Sequence, residues 1–174
     1  YAKFKGLDDL VACITSQYPE KINSLFELIY KSKNPRGLQK SDFVALKKLF
    51  DAKLAEQKKR FDENAECYED TQVCFFHSEP RFSSKLSNII SMENPSKVII
   101  IFEQPGQLVK CSIRRQDFKV DCNALAKFAV SASPNGNGGG HIPAAGATFP
   151  VEYFEDFKKR VRLYLLENPP KQGN

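Results

Sequence analysis

The stretch Gly138-Gly139-Gly140-His141-Ile142-Pro143-Ala144-Ala145-Gly146 gathers more chemistry than any other part of this sequence. Glycines carry no Cβ, so they accept positive φ and let backbone N–H groups approach an anion closely. The adjacent His141 adds a donor whose charge switches near neutral pH. That combination suits a phosphate. Flexible linkers share the composition, and the Gly-Lys-Ser/Thr ending of a P-loop is missing, so spacing alone leaves both readings open. A second candidate is Gln107 to Arg115, which alternates Leu108, Lys110, Ser112 and Arg114 against Val109, Cys111 and Ile113. On a strand this pattern gives one polar and one apolar face.

Other chemistries have less to work with. His77 and His141 are the two histidines, and no Asp-His cluster supplies the ligands of a metal site. His77, alone at a strand end, is assigned no role. The five cysteines, Cys13, Cys67, Cys74, Cys111 and Cys122, are scattered without a Cys-x-x-Cys pair, which speaks against a disulfide framework and a zinc knuckle. They are expected to be reduced thiols, as in a cytoplasmic protein, with Cys74 and Cys111 acting as small hydrophobes inside strands.

The elements that must carry these residues follow from periodicity and punctuation. At 174 residues, 41% apolar and 27% charged, the chain fits one globular domain, or one domain with a helical extension, whose core is built from Phe, Leu, Ile and Val. Helical spacing predicts short helices over Leu7 to Tyr18 and Lys21 to Tyr30, with a break at Asn34-Pro35-Arg36-Gly37. A long helix is predicted from Lys40 to Glu66, with Ser41 as N-cap and Phe43, Leu46, Phe50, Leu54 and Phe61 on one face. Its other face carries Lys47, Lys48, Lys53, Lys58, Lys59 and Arg60. Interspersed Asp51, Glu56, Asp62 and Glu63 make this a solvated surface rather than a nucleic-acid stripe.

Beyond Asp70 the pattern changes. Strands are predicted at Gln72 to Phe76, Lys97 to Phe102 and Gln107 to Arg115, the last two forming a hairpin around Pro105-Gly106, with a helix over Phe82 to Met92. A short helix follows from Asp121, the expected N-cap, to Val130. Ser131 to Gly140 reads as a flexible loop by composition, extended structure resumes at Ala145, and a helix runs from Val151 to Leu166. The fold class is α/β: a small mixed sheet flanked by helices and preceded by a helical connector. No apolar run nears the roughly 20 residues that span a bilayer, so no membrane partner is expected, and no signal peptide is visible. The net charge of +5 suits an anionic partner, but the basic residues are too dispersed to identify it.

Gly138-Gly139-Gly140-His141 followed by Pro143 and Ala144-Ala145-Gly146 resembles the signature of the DHH-associated domain that follows the catalytic domain in DHH-family phosphoesterases. Val109 to Arg114 is similar to that family's strand ending in Ser-Leu-Arg, with Ser112, Ile113 and Arg114 at those places. The element order resembles the family from about Gln72 to Leu166, and one departure is a longer link between Phe128 and Gly138. The resemblance implies residues 1–70 as a connector ending the catalytic domain, 71–168 as the associated domain, and 169–174 as a tail.

It further implies that His141 and the amides of Gly138, Gly139 and Gly140 hold a terminal phosphate or base, and that Arg114 grips a phosphate with its forked donors. Ser112 and Lys110 share the strand face of Arg114; Arg115 points the other way and is expected to be a solvated arginine. The insert Ser131 to Asn137 either covers the ligand or is disordered without it. No cofactor is implied for this chain. Manganese is implied for the Asp-His-His half, expected upstream of Tyr1, so hydrolysis by this chain alone is not expected. Partners implied are a nucleotide, dinucleotide or short single-stranded nucleic acid and the chain's own catalytic domain, with room for a homodimer of the parent. The competing class is a non-enzymatic nucleic-acid-binding or assembly module using the basic helix around Lys47 to Arg60.

Overall fold

The computed structural model describes residues 7–31 and 41–170, and its contacts divide the chain into two units, Tyr1–Glu56 and Gln57–Asn174. In the first unit, α1 (Leu7–Gln17) and α2 (Ile22–Lys31) are joined by a single 3-10 turn, Pro19–Lys21. Their apolar positions close on Leu10, Ile14 and Leu25, with Val11, Tyr18, Ile29, Phe43 and Leu46 packed around them. The Asn34 to Gly37 break lies outside the described residues.

The long helix α3 spans Asp42–Asn64, inside the expected Lys40 to Glu66. Part of its basic face is neutralised at helical spacing: Lys47 lies 2.6 Å from Asp51, Lys58 3.1 Å from Asp62 and Lys59 3.8 Å from Glu63. Lys58 also meets Glu93 at 3.1 Å, and Arg60 meets Glu79 at 3.7 Å.

The second unit is built on a six-stranded mixed sheet in the order β1 (Glu66–Tyr68), β2 (Val73–His77), β3 (Val98–Glu103), β4 (Leu108–Arg114), β6 (Ala144–Pro150), β5 (Asn137–His141). Only β2 and β3 are parallel, and α4 (Ser83–Glu93) provides the crossover between them. The three isoleucines of β3 are fully buried because this central strand is covered on both faces. One face packs against α5 (Cys122–Val130) and α6 (Phe154–Glu167), through Val73, Phe75, Ile100, Phe102, Val109, Ile113, Leu125, Phe149, Phe157 and Val161. The helix α4 packs against β3 and β4, with Leu86 and Ile90 buried. The expected α/β class and the hairpin of β3 and β4 are both present.

Three expectations need correction. Cys67 and Cys74 are disulfide-bonded, with their Cα atoms 4.1 Å apart as direct partners in the β1–β2 ladder. Reading helix through to Glu66 hid the short strand that brings Cys67 beside Cys74. Cys13, Cys111 and Cys122 remain as buried thiols, and burial pushes Cys111 up to about 12.

Next, Ser131 to Gly140 is not one flexible loop. Residues 131–136 form tight turns, with Ser133 N donating to Val130 O and Gly136 N to Ser133 O. Arg160 fastens them by donating to Phe128 O and Ser131 Oγ while lying over the Phe128 ring. From Asn137 the chain is strand β5.

Finally, Arg115 does point away from Arg114's face, but it is 1% exposed rather than solvated. Its guanidinium holds Asp117 at 2.7 and 2.9 Å and Gln72 Oε1 at 3.3 Å. A two-residue offset in sequence supplies the partly buried counter-charge that makes this burial tolerable.

Candidate functional site

The register of the antiparallel ladders decides which side chains meet. Residues paired across strands project to the same face, so the partners of β6 can be followed through β4 to β3 on one side and to β5 on the other. Arg114, Ala144 and His141 make one such row, continued on β3 by Ile99. Ser112, Gly146 and Gly139 make the next, beside Ile101. Lys110, Thr148 and Asn137 make the third, beside Glu103. Strand rise separates successive rows by about 7 Å. The strand alternation of Lys110, Ser112 and Arg114 read from the sequence is the observed one: these side chains are exposed or half-buried, whereas Val109, Cys111 and Ile113 are buried.

Along the second and third of these rows, beside the N-terminus of α4, runs an open groove of about 520 Å³. Lys110, Ser112, Gly138, Gly139 and Gly146 line it, joined by Ser83, Glu103, Asn137 and Thr148, which were not among the candidates. Arg114, Gly140 and His141 are not in its lining; Arg114 and His141 sit together in the row at one end, both paired with Ala144. Arg114 Nε is buried and has no hydrogen-bond partner among the described residues. Such an atom costs free energy unless something accepts its proton. His141 is exposed, immediately before the Ile142-Pro143 turn of the β5–β6 hairpin.

The glycines of β5 owe their identity to packing. A Cβ on Gly138 would lie 2.8 Å from Ala126 O, and one on Gly140, at φ +155°, would lie 2.4 Å from Ala144 O. Bare backbone is what lets β5 approach α5. The amide of Gly140 is not available to a ligand: it donates to Asn123 Oδ1 at 3.1 Å. This corrects its place among the phosphate-binding amides. Asn123 is thereby a tether for the glycine strand, while Asp121 caps α5 by accepting from Asn123 N and Ala124 N at 2.9 and 3.1 Å, as expected. Alternation directs the amide of Gly138 toward the same strand edge as that of Gly140.

At the other end of the groove, Glu103 Oε1 accepts from Ser83 N at 2.6 Å, fixing the carboxylate at the start of α4. No sequence signal connected Glu103 with Ser83, because the contact bridges separate elements. Thr148 was legible in principle, since Ala144, Gly146 and Thr148 alternate with the buried Ala145, Ala147 and Phe149. His77 lies between the rings of Phe102 and Phe154, with centroids 5.2 and 4.9 Å away; burial and then the nearby Lys158 hold it below the ordinary imidazole range. Among the described residues no group of three or more His, Cys, Asp or Glu is arranged to hold a metal ion. No described helix is long and apolar enough to cross a membrane.

The fold and groove together define a small α/β domain with a polar sheet face. Residues 73–167 match the DHHA1 domain family, and the chain belongs to it. Among solved structures, RecJ from Thermus thermophilus in complex with Mn2+ is similar at 14% identity and TM-score 0.72, covering 92% of this chain and 24% of RecJ. CDC45 from Entamoeba histolytica is similar at 10% identity and TM-score 0.60, over 90% of this chain and 36% of that one. The pGpG-specific phosphodiesterase PggH from Vibrio cholerae is similar at 14% identity and TM-score 0.56, over 86% of this chain and 51% of that one. The chain thus spans about a quarter of RecJ and half of PggH. At these identities the likeness is one of fold. A search of curated proteins finds no match.

Proposed function

We propose that this domain is the substrate-binding part of a DHH-family phosphoesterase, holding a phosphate-bearing end of a short oligonucleotide, a dinucleotide or a nucleotide bisphosphate. In this reading hydrolysis belongs to a separate catalytic domain carrying manganese. The observation that carries the proposal is the row of Arg114 and His141, one step along the sheet from the groove lining, with Arg114 Nε buried and unpartnered. An arginine prepared in this way offers forked donors to a phosphate at little further cost in side-chain order. Ser112, Lys110 and the edge amide of Gly138 extend the donor set along the groove. Membership of the DHHA1 domain family and the fold shared with RecJ and PggH support the same reading. The basic helix α3 supports it indirectly, because Lys47, Lys58, Lys59 and Arg60 are each within 4 Å of a carboxylate.

The test is fluorescence anisotropy with a labelled dinucleotide. Replacing Arg114 by Ala should weaken binding about 10- to 100-fold, the worth of a hydrogen bond to a charged group at roughly 1.5–3 kcal/mol. Lengthening the oligonucleotide should add little. Unchanged affinity in Arg114→Ala, or affinity that climbs with length and collapses with salt, would contradict the proposal.

A further inference from the structure

The polar sheet face has two ends that differ in chemistry, one beyond the groove at Arg114 and His141 and one within it. The row of Arg114 and His141 contributes donors and no acidic side chain, whereas the row of Glu103, Lys110, Thr148 and Asn137 offers both donors and acceptors. All four residues of that mixed row line the groove. Glu103 is half-buried, and its hold on Ser83 N fixes a carboxylate beside the cavity. A second phosphate lying there would meet that negative charge across a short distance. Lys110 offsets the charge of Glu103 but does not leave the row cationic.

A mixed set of a carboxamide, a hydroxyl, a carboxylate and an ammonium is instead the inventory by which side chains read the edge of a nucleobase. Asn pairs with adenine, Lys with guanine, Glu accepts from cytosine, and Thr serves either as donor or acceptor. The intervening row contributes Ser112 and the backbones of Gly139 and Gly146, a low floor over which a sugar can pass from one end to the other.

From this asymmetry we infer that Asn137 and Thr148, with Glu103 and Lys110 beside them, form a base-reading end of the groove, so that the domain selects nucleotides by sequence and discriminates against a base-free polyphosphate. The inference rests on the phosphate-binding reading of Arg114 and His141 and goes beyond it by assigning the opposite end. It concerns specificity, since the shared phosphate contacts are the same for every nucleotide.

The experiment uses the intact chain with fluorescently labelled dinucleotides of A, C, G and U, an abasic dinucleotide and tripolyphosphate. The expected result is a spread of about tenfold or more among the four bases, with the abasic probe and tripolyphosphate weaker than the best dinucleotide. Asn137→Ala and Thr148→Val should bring the four bases within about twofold of one another. Glu103→Gln, which keeps an acceptor for Ser83 N, should strengthen tripolyphosphate binding. Thr148→Val preserves the β-branched shape suited to a strand, so the ratio remains readable if Asn137→Ala perturbs the edge.

Equal affinity for all four bases and the abasic probe overturns the inference, as does a base preference that survives both substitutions. Failure of the underlying reading is distinguishable: there Arg114→Ala leaves every probe unaffected, whereas failure of this inference alone leaves all probes weakened alike by Arg114→Ala.

Discussion

Arg114 and Arg115 are consecutive residues with opposite surroundings. Strand parity sends Arg114 to the groove face with its Nε unpaired, and Arg115 to the interior, where Asp117 and Gln72 receive it. Parity was legible in the sequence; the burial of Arg115 was not, because its partner Gln72 is distant in the chain and no sequence pattern ties Asp117 to it. Burial alone would raise the Asp117 carboxyl, but the hydrogen bonds from Arg115 and the Lys119 amide hold it below the usual carboxylate range. The unfolded chain therefore takes up this proton at higher pH than the fold does. The pair's stabilisation is complete above the unfolded carboxylate value of about 3.9 and is lost as pH falls through the lower folded value. Asp117→Asn should accordingly lower Tm at pH 7 and flatten the acid limb of a Tm-against-pH series; an unchanged limb would remove Asp117 from the account. Arg115→Ala should cost about 3 kcal/mol or more in denaturant unfolding, since it leaves a partly buried carboxylate unpaired.

At the scale of elements, composition misled where packing decides. Asn137 to Gly140 has the composition of a loop, yet forms the edge strand β5 because glycine permits a close backbone approach to α5 at Gly138 and to β6 at Gly140 that a Cβ would block. Gly140→Ala should therefore destabilise the fold by about 1–3 kcal/mol, read as a fall in Tm. Gly146→Ala should behave differently: its Cβ would meet nothing nearer than Cys111 O at 3.4 Å, so Tm should change little while dinucleotide affinity drops. Apart from β5, the order of strands and helices from Val73 onward was readable from alternation and punctuation. The short β1 was not, since three residues carry too little pattern, and the Cys67–Cys74 bond was missed with it. Thiol titration of the denatured chain should find three free cysteines before reduction and five after it. Reduction should lower stability by about 2 kcal/mol, the loop-closure value for so short a ring.

For the whole molecule, the motif resemblance located the glycine strand and the strand carrying Arg114, and the ladder register explains why two segments more than twenty residues apart form one surface. Both pair with β6, so Ala144, Gly146 and Thr148 set their mutual alignment. The charged α3 helix is, by contrast, a face of paired ions, and the distribution of binding over the chain separates the two accounts. The most direct measurement is an amide chemical-shift map of the isotopically labelled chain titrated with a dinucleotide. Perturbations should concentrate on Lys110, Ser112, Arg114, Gly138, Gly139 and His141, and should saturate together at one ligand concentration. A map centred instead on Lys47 to Arg60, with those residues unmoved, would contradict the account.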